Sequence, residues 1–160
     1  MAIQRAKNNK AVFEAVPGTF IPKNEKSGEI VVSLDEIVLE DLVSPADGDV
    51  VYAQEIPAGY KVKSVKVFNL DAIATGAVIV GHSSNTVVSL GQREEVVAAD
   101  PDAFIASSTL NGETLLEMPE TAVGFLTERD VPVFLTVTLA TVPTLLDSKK
   151  LIVLTELIGK

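Results

Sequence analysis

The chain has 160 residues, a formal charge of −9, no cysteine and no tryptophan, which suits one domain large enough to bury its own core. The missing cysteines exclude a disulfide framework, thiolate metal sites and thiol nucleophiles. His82 is the sole histidine, so Cys–His catalysis, two-histidine metal sites within one chain and histidine-cluster oxygenases are excluded as well.

The charge is unevenly divided. Residues 1–28 carry Arg5, Lys7, Lys10, Lys23 and Lys26 against Glu14 and Glu25, a net +3, and the remainder carries −12. An acidic body this strong repels phosphate backbones, so nucleic acid is not an expected partner, and its self-repulsion favours solubility. The basic arm suits an acidic surface. The opening "MAIQRAKNNKAVFEAVPG" lacks the apolar run of a signal peptide, and no stretch approaches the roughly 18 apolar residues of a membrane span. A soluble chain without a membrane partner is expected.

In chain order, residues 1–28 show neither helical nor strand periodicity, and Pro17-Gly18 and Pro22 interrupt any element that starts there. They read as an extended N-terminal arm, followed by a β-sandwich domain over 29–160. From Glu29 the runs are short and β-rich: "EIVVSL", "EIVLEDL", "DVVYAQEI", "YKVKSVKVFNL", "AVIVG", "TVVSLG", "EVVA", "AVGFLT", "PVFLTVTLA" and "KLIVLTELI". Turn chemistry at Ser44 to Gly48, Pro57-Ala58-Gly59, Thr75-Gly76, Asn111-Gly112 and Pro143 separates them. The pattern predicts an antiparallel sandwich of about eight strands.

Individual runs refine this reading. Around Pro57-Ala58-Gly59 the flanking strands are expected to bury Val50, Tyr52 and Val65, and the apolar phase slips near Lys63-Ser64, which predicts a bulge or a bend. "DPDAFIASSTL", Asp100 to Leu110, reads as one short helical turn with Asp100 as cap, Pro101 in the first turn and Phe104 pointing inward, plugging an open end of the sandwich. In "PVFLTVTLA" Val133, Leu135, Val137 and Leu139 share one parity and form a core face. "LIVLTELI" is apolar on both parities, which fits a central strand whose second face is covered by the arm or a neighbouring subunit. Its outward candidates for a contact between copies are Ile152, Leu154 and Ile158.

Little else on the chain carries chemistry. Ser83 and Ser84 beside His82 resemble no nucleophile elbow, and strand neighbours point to opposite faces. His82 reads as a strand-end or loop residue bonded to backbone or water. Asp47-Gly48-Asp49 and Asp100-Pro101-Asp102 place carboxylates on turns, but they lack the alternating oxygen ligands of a calcium loop. With only Tyr52 and Tyr60 and no tryptophan, a sugar-cleaving platform is missing, and no Gly-rich phosphate loop is present. No catalytic, cofactor-binding or metal residue is expected, and the chain is read as a non-enzyme.

The succession "GDVVYAQEIPAGYKVKSVKVFNLDAIATGAVIVGHSS", "DPDAFIASSTL" and "VPVFLTVTLATVPTLLDSKKLIVLTELI" resembles the capsid cement or decoration proteins of tailed bacteriophages over about Gly48 to Ile158. The matching pieces are Ile56 to Gly59, Asp71 with Thr75, Val80-Gly81, Asp100 to Phe104, and Val133 to Ile158. The charged "GQREEVVAAD" and the longer arm depart from that pattern. The resemblance implies a jelly-roll sandwich, made in the bacterial host, that sits on the outer capsid surface of the virion and ties neighbouring major capsid proteins together. It implies the major capsid protein and further copies of the chain, as dimer or trimer, as partners, with no cofactor. Capsid contact would then fall to Arg5, Lys7, Lys10, Phe13 and Phe20 of the arm. Two other readings stand beside it: a carbohydrate- or host-surface-binding sandwich using the segments Ser83 to Thr86 or Asp100 to Thr109, and a tail or fibre-base component.

Overall fold

The computed structural model of the chain describes residues 3–5, 30–69, 73–89, 92–112, 114–119, 132–143 and 149–159. Eleven strands run through them: β1 (Ile3–Arg5), β2 (Ile30–Val38), β3 (Asp49–Ile56), β4 (Lys61–Phe68), β5 (Ile73–His82), β6 (Asn85–Ser89), β7 (Gln92–Val97), β8 (Asp100–Gly112), β9 (Leu115–Glu117), β10 (Val133–Thr141) and β11 (Lys150–Ile158). One sheet has the order β1-β3-β10-β5-β8 and the other β2-β11-β4-β9, while β6 and β7 form a separate hairpin.

Four antiparallel pairs, β2 with β11, β3 with β10, β4 with β9 and β5 with β8, join the first sandwich strand to the last, the second to the next-to-last, and so inward. This nesting is one long hairpin rolled into two sheets, the wrapping of a jelly roll. Eight strands thus build the sandwich, and its all-β, antiparallel character is as the sequence predicts.

The local patterns explain the core. Val133, Leu135, Val137 and Leu139 of β10 are all fully buried between the sheets. Across from them, Val62, Val65 and Val67 of β4 and Leu151, Val153 and Leu157 of β11 point inward. The expected phase slip in β4 is a bulge: Ser64 pairs with Glu156 but Val62 with Leu157, so Lys63 is the extra residue that resets the inward face.

Several expectations are corrected. "DPDAFIASSTL" forms no helical turn and plugs no open end: it belongs to β8, the outer strand beside β5. The cap and proline signals there are local, and pairing with β5 overrides them; a step of two residues along β5, from Val80 to His82, is matched by five along β8, from Ile105 to Asp100. Pro101 sits in this irregular stretch, where no regular ladder demands its missing N–H. Phe104 does point inward and is buried. Thr75-Gly76 is no turn between strands but an irregularity inside β5, with Thr75 at φ 47°. Val50 and Tyr52 are only half-buried, because Val51 and Ala53 occupy the inward parity of β3. "EIVLEDL" continues β2 and closes with a 3₁₀ turn, Leu39–Asp41. "TVVSLG" and "EVVA" supply the β6–β7 hairpin, outside both main sheets. Residues 122–127, "AVGFLT", lie outside the described residues, as does the expected boundary at 28/29. Within the arm, Ile3–Arg5 is not merely extended but pairs parallel with β3, Arg5 standing opposite Tyr52.

Candidate interaction surface

Among the residues singled out for chemistry, His82, Ser83, Asp47 and Asp49 have structural tasks. His82 is buried at the end of β5, with its ring 6.2 Å from that of Phe104 and Nδ1 3.1 Å from the Ser83 carbonyl oxygen. The Ser83 hydroxyl accepts the Phe134 N–H at 3.0 Å, and the Ser83 N–H donates to the Phe134 carbonyl at 2.8 Å, tying the end of β5 to β10. Asp47 and Asp49 shape the turn before β3: Asp47 Oδ1 accepts the Val142 N–H at 2.8 Å and Asp49 Oδ2 the Ala46 N–H at 3.0 Å. Asp100 and Asp102 are exposed at the start of β8. Among the described residues no cluster of three or more histidine, aspartate or glutamate side chains could hold a metal ion, and no helix is long and apolar enough to cross a membrane.

The distinctive surface is the outer face of the β2-β11-β4-β9 sheet. Alternation along β11 sends Leu151, Val153 and Leu157 inward and turns Ile152, Leu154 and Ile158 outward, as the doubly apolar pattern predicts. Register places Leu34 beside Leu154 and Ile30 beside Ile158, with Phe68 of β4 beside Ile152 and Leu115 of β9 beside Phe68. Ile152 is itself buried, while Leu154 and Ile158 are half-buried.

The sequence reading missed the contribution of β2. Its outward residues Ile30, Val32 and Leu34 are 53%, 59% and 54% exposed, whereas Ser33 and Asp35 take the inward parity. Read alone, the alternation would put the three apolar side chains in the core. Ile37 and Leu39, both fully buried, and the nine-residue ladder to β11 fix the opposite phase. The signal was present in "EIVVSLDEI", where the apolar parity before Asp35 conflicts with the parity that Ile37 sets.

Charges on this face are matched within it. Lys150 meets Glu36 at 3.2 Å, Lys66 meets Glu117 at 2.7 Å and Lys63 meets Glu156 at 3.2 Å. The hydrogen bond to Glu117 first, and its charge second, raise the Lys66 pKa above the ordinary 10.5. Lys61 adds a fourth lysine opposite Ile158. On a chain of net charge −9, this face is neutral to slightly basic.

Of the arm residues expected to touch a capsid, Arg5 stands in β1 at the edge of the other sheet. Lys7, Lys10, Phe13 and Phe20 lie outside the described residues. The segment Asp100 to Thr109, a host-binding loop in the alternative reading, is strand rather than loop.

No family model matches the chain, and no curated protein matches it by sequence. Among solved structures, a chain described as "Capsid of Ralstonia phage GP4" is similar to it with a TM-score of 0.64 and 14% sequence identity, covering 99% of this chain and 99% of that chain. At that identity the two share a fold. The likeness runs essentially end to end, so it embraces the sandwich and its connections rather than a common fragment.

Proposed function

We propose that the chain is a structural protein of a tailed-phage virion, a cement or decoration protein that binds the outer surface of the head and ties neighbouring major capsid proteins together. The end-to-end likeness in fold to a phage capsid chain carries this reading. The distribution of charge supports it: a strongly acidic body with a basic arm of net +3 can dock the arm on an acidic shell while the body stays out in solvent. Arg5, Lys7, Lys10, Phe13 and Phe20 are the arm residues assigned to that contact. The task requires a rigid scaffold and a multiply repeated contact, and no catalysis. The Asp47 and Asp49 carboxylates and the His82–Ser83 pair, already engaged in holding strand ends, suit such a framework.

The experiment is cryo-electron microscopy of heads of the parent virus, with and without added full-length chain. Density for the sandwich on the outer head surface, spanning adjacent capsid subunits, is the expected result. Density confined to the tail or fibre base, or binding only to host-surface glycans, would overturn the assignment.

A further inference from the structure

We infer that the outer face of the β2-β11-β4-β9 sheet packs against the same face of a second copy of this chain. The inference goes beyond the capsid reading and stands without it, because it concerns the free protein. Its first support is the phase of β2. β2 turns Ile30, Val32 and Leu34 to solvent while its inward parity holds Ser33 and Asp35 between Val31, packed against the core, and the core residue Ile37, so the outward face is the more apolar of the two. Such an inversion against local pattern marks a surface that is covered in the working state. Leu154 and Ile158 on β11 extend the same patch in register with Leu34 and Ile30.

The second support is charge, and it selects the occupant. Two copies of a chain carrying −9 repel each other over most of their surface. Here each glutamate of the face is met by a lysine of the same face, and Lys61 is in excess. This face therefore lets two acidic bodies approach without bringing unmatched carboxylates together. A strongly basic partner would find no charge to complement on it. Two sheets packed face to face about a two-fold axis, roughly 10 Å apart, form an isologous contact in which each apolar row faces its own copy.

The test is sedimentation equilibrium of the full-length chain between about 1 and about 100 µM. Dimer is expected for the parent, with L34K and V32K each weakening association more than tenfold, since each places two lysines at the two-fold contact. V43K, at a residue 75% exposed outside this face, is the control and should leave association unchanged. Circular dichroism checks that each variant folds; the two replaced side chains are solvent-exposed in the single chain, and either one alone decides the question. A parent that stays monomeric throughout overturns the inference, with the arm folded back over its own sheet as the alternative cover. A dimer indifferent to both L34K and V32K overturns it equally. A chain that dimerises through this face yet leaves heads undecorated would remove the capsid reading and keep the interface.

Discussion

Gly59 and Gly81 occupy strand-rich sequence, yet the fold requires them for different reasons. Gly59 is the third residue of a turn closed by the Tyr60 N–H to the Pro57 carbonyl at 3.2 Å, and its φ of 80° is the left-handed value that a type II turn demands there. Nothing lies near its absent side chain, so the cost of Gly59→Ala is backbone strain alone, about 1 kcal/mol. Gly81 has no left-handed φ to defend. A Cβ on it would overlap the Asp100 carbonyl and the Pro101 backbone, because the start of β8 crosses directly over it. Backbone cannot rotate out of the way as a side chain can, and the expected cost of Gly81→Ala is about 3 kcal/mol. Urea unfolding of the two variants measures the difference. Gly59→Asn should recover part of the loss at the turn, since asparagine tolerates the left-handed region, whereas equal losses at 59 and 81 would contradict the crossing of β8 over β5.

Among the elements, the connection from β8 to β9 is the joint at which the chain leaves one sheet for the other, and Asn69 holds it. This buried side chain donates from Nδ2 to the Gly112 carbonyl at 2.6 Å and accepts the Thr114 N–H on Oδ1 at 3.0 Å. Asn69→Ala removes both and leaves two part-buried backbone groups without these partners, a loss of about 1 kcal/mol. Hydrogen exchange localises the effect: the amides of β9 and of Asn111, Gly112 and Thr114 should lose protection before those of β10, and uniform loss would argue against a joint. How far such elements were legible depends on where their phase is set. In β10 the apolar parity agrees with the sheet, and the β4 bulge announces itself as a break in parity at Lys63-Ser64. In β8 the signals were local, Asp100 as cap and Pro101 in a first turn, while the cause of the strand is pairing with β5, a partner that composition near residue 100 does not reveal. In β2 the local alternation pointed the wrong way, because its phase comes from Ile37, Leu39 and the ladder to β11. The same long-range control hid half of the candidate interaction surface: Ile152, Leu154 and Ile158 were readable from a doubly apolar strand, but nothing in the run around Ile30, Val32 and Leu34 marked those side chains as outward.

At the scale of the whole molecule, what matters is how a protein in the proposed role would alter a particle. In the cement reading the chain acts by linkage, since anything that binds the intact shell and not its dispersed parts stabilises the shell by its binding free energy, about 2.7 kcal/mol per site at a hundredfold excess over Kd. That term is small for one site and large when repeated over an icosahedral surface. Heads stripped of the protein should therefore assemble normally but release their DNA at lower temperature, and adding back the full-length chain should restore the release temperature. The arm makes the prediction sharper. A chain lacking residues 1–26 loses β1 from the edge of its sheet but keeps all eight sandwich strands and the core between them, so it should fold and yet fail to protect. Exposed charges are screened over about 8 Å at physiological ionic strength, so protection by the full chain should also weaken as salt is raised. DNA release followed by dye fluorescence on stripped, re-decorated and truncated-chain heads separates these outcomes. Identical release temperatures for stripped and re-decorated heads would exclude linkage as the function, and protection by the truncated chain would transfer the capsid contact from the arm to the sandwich itself.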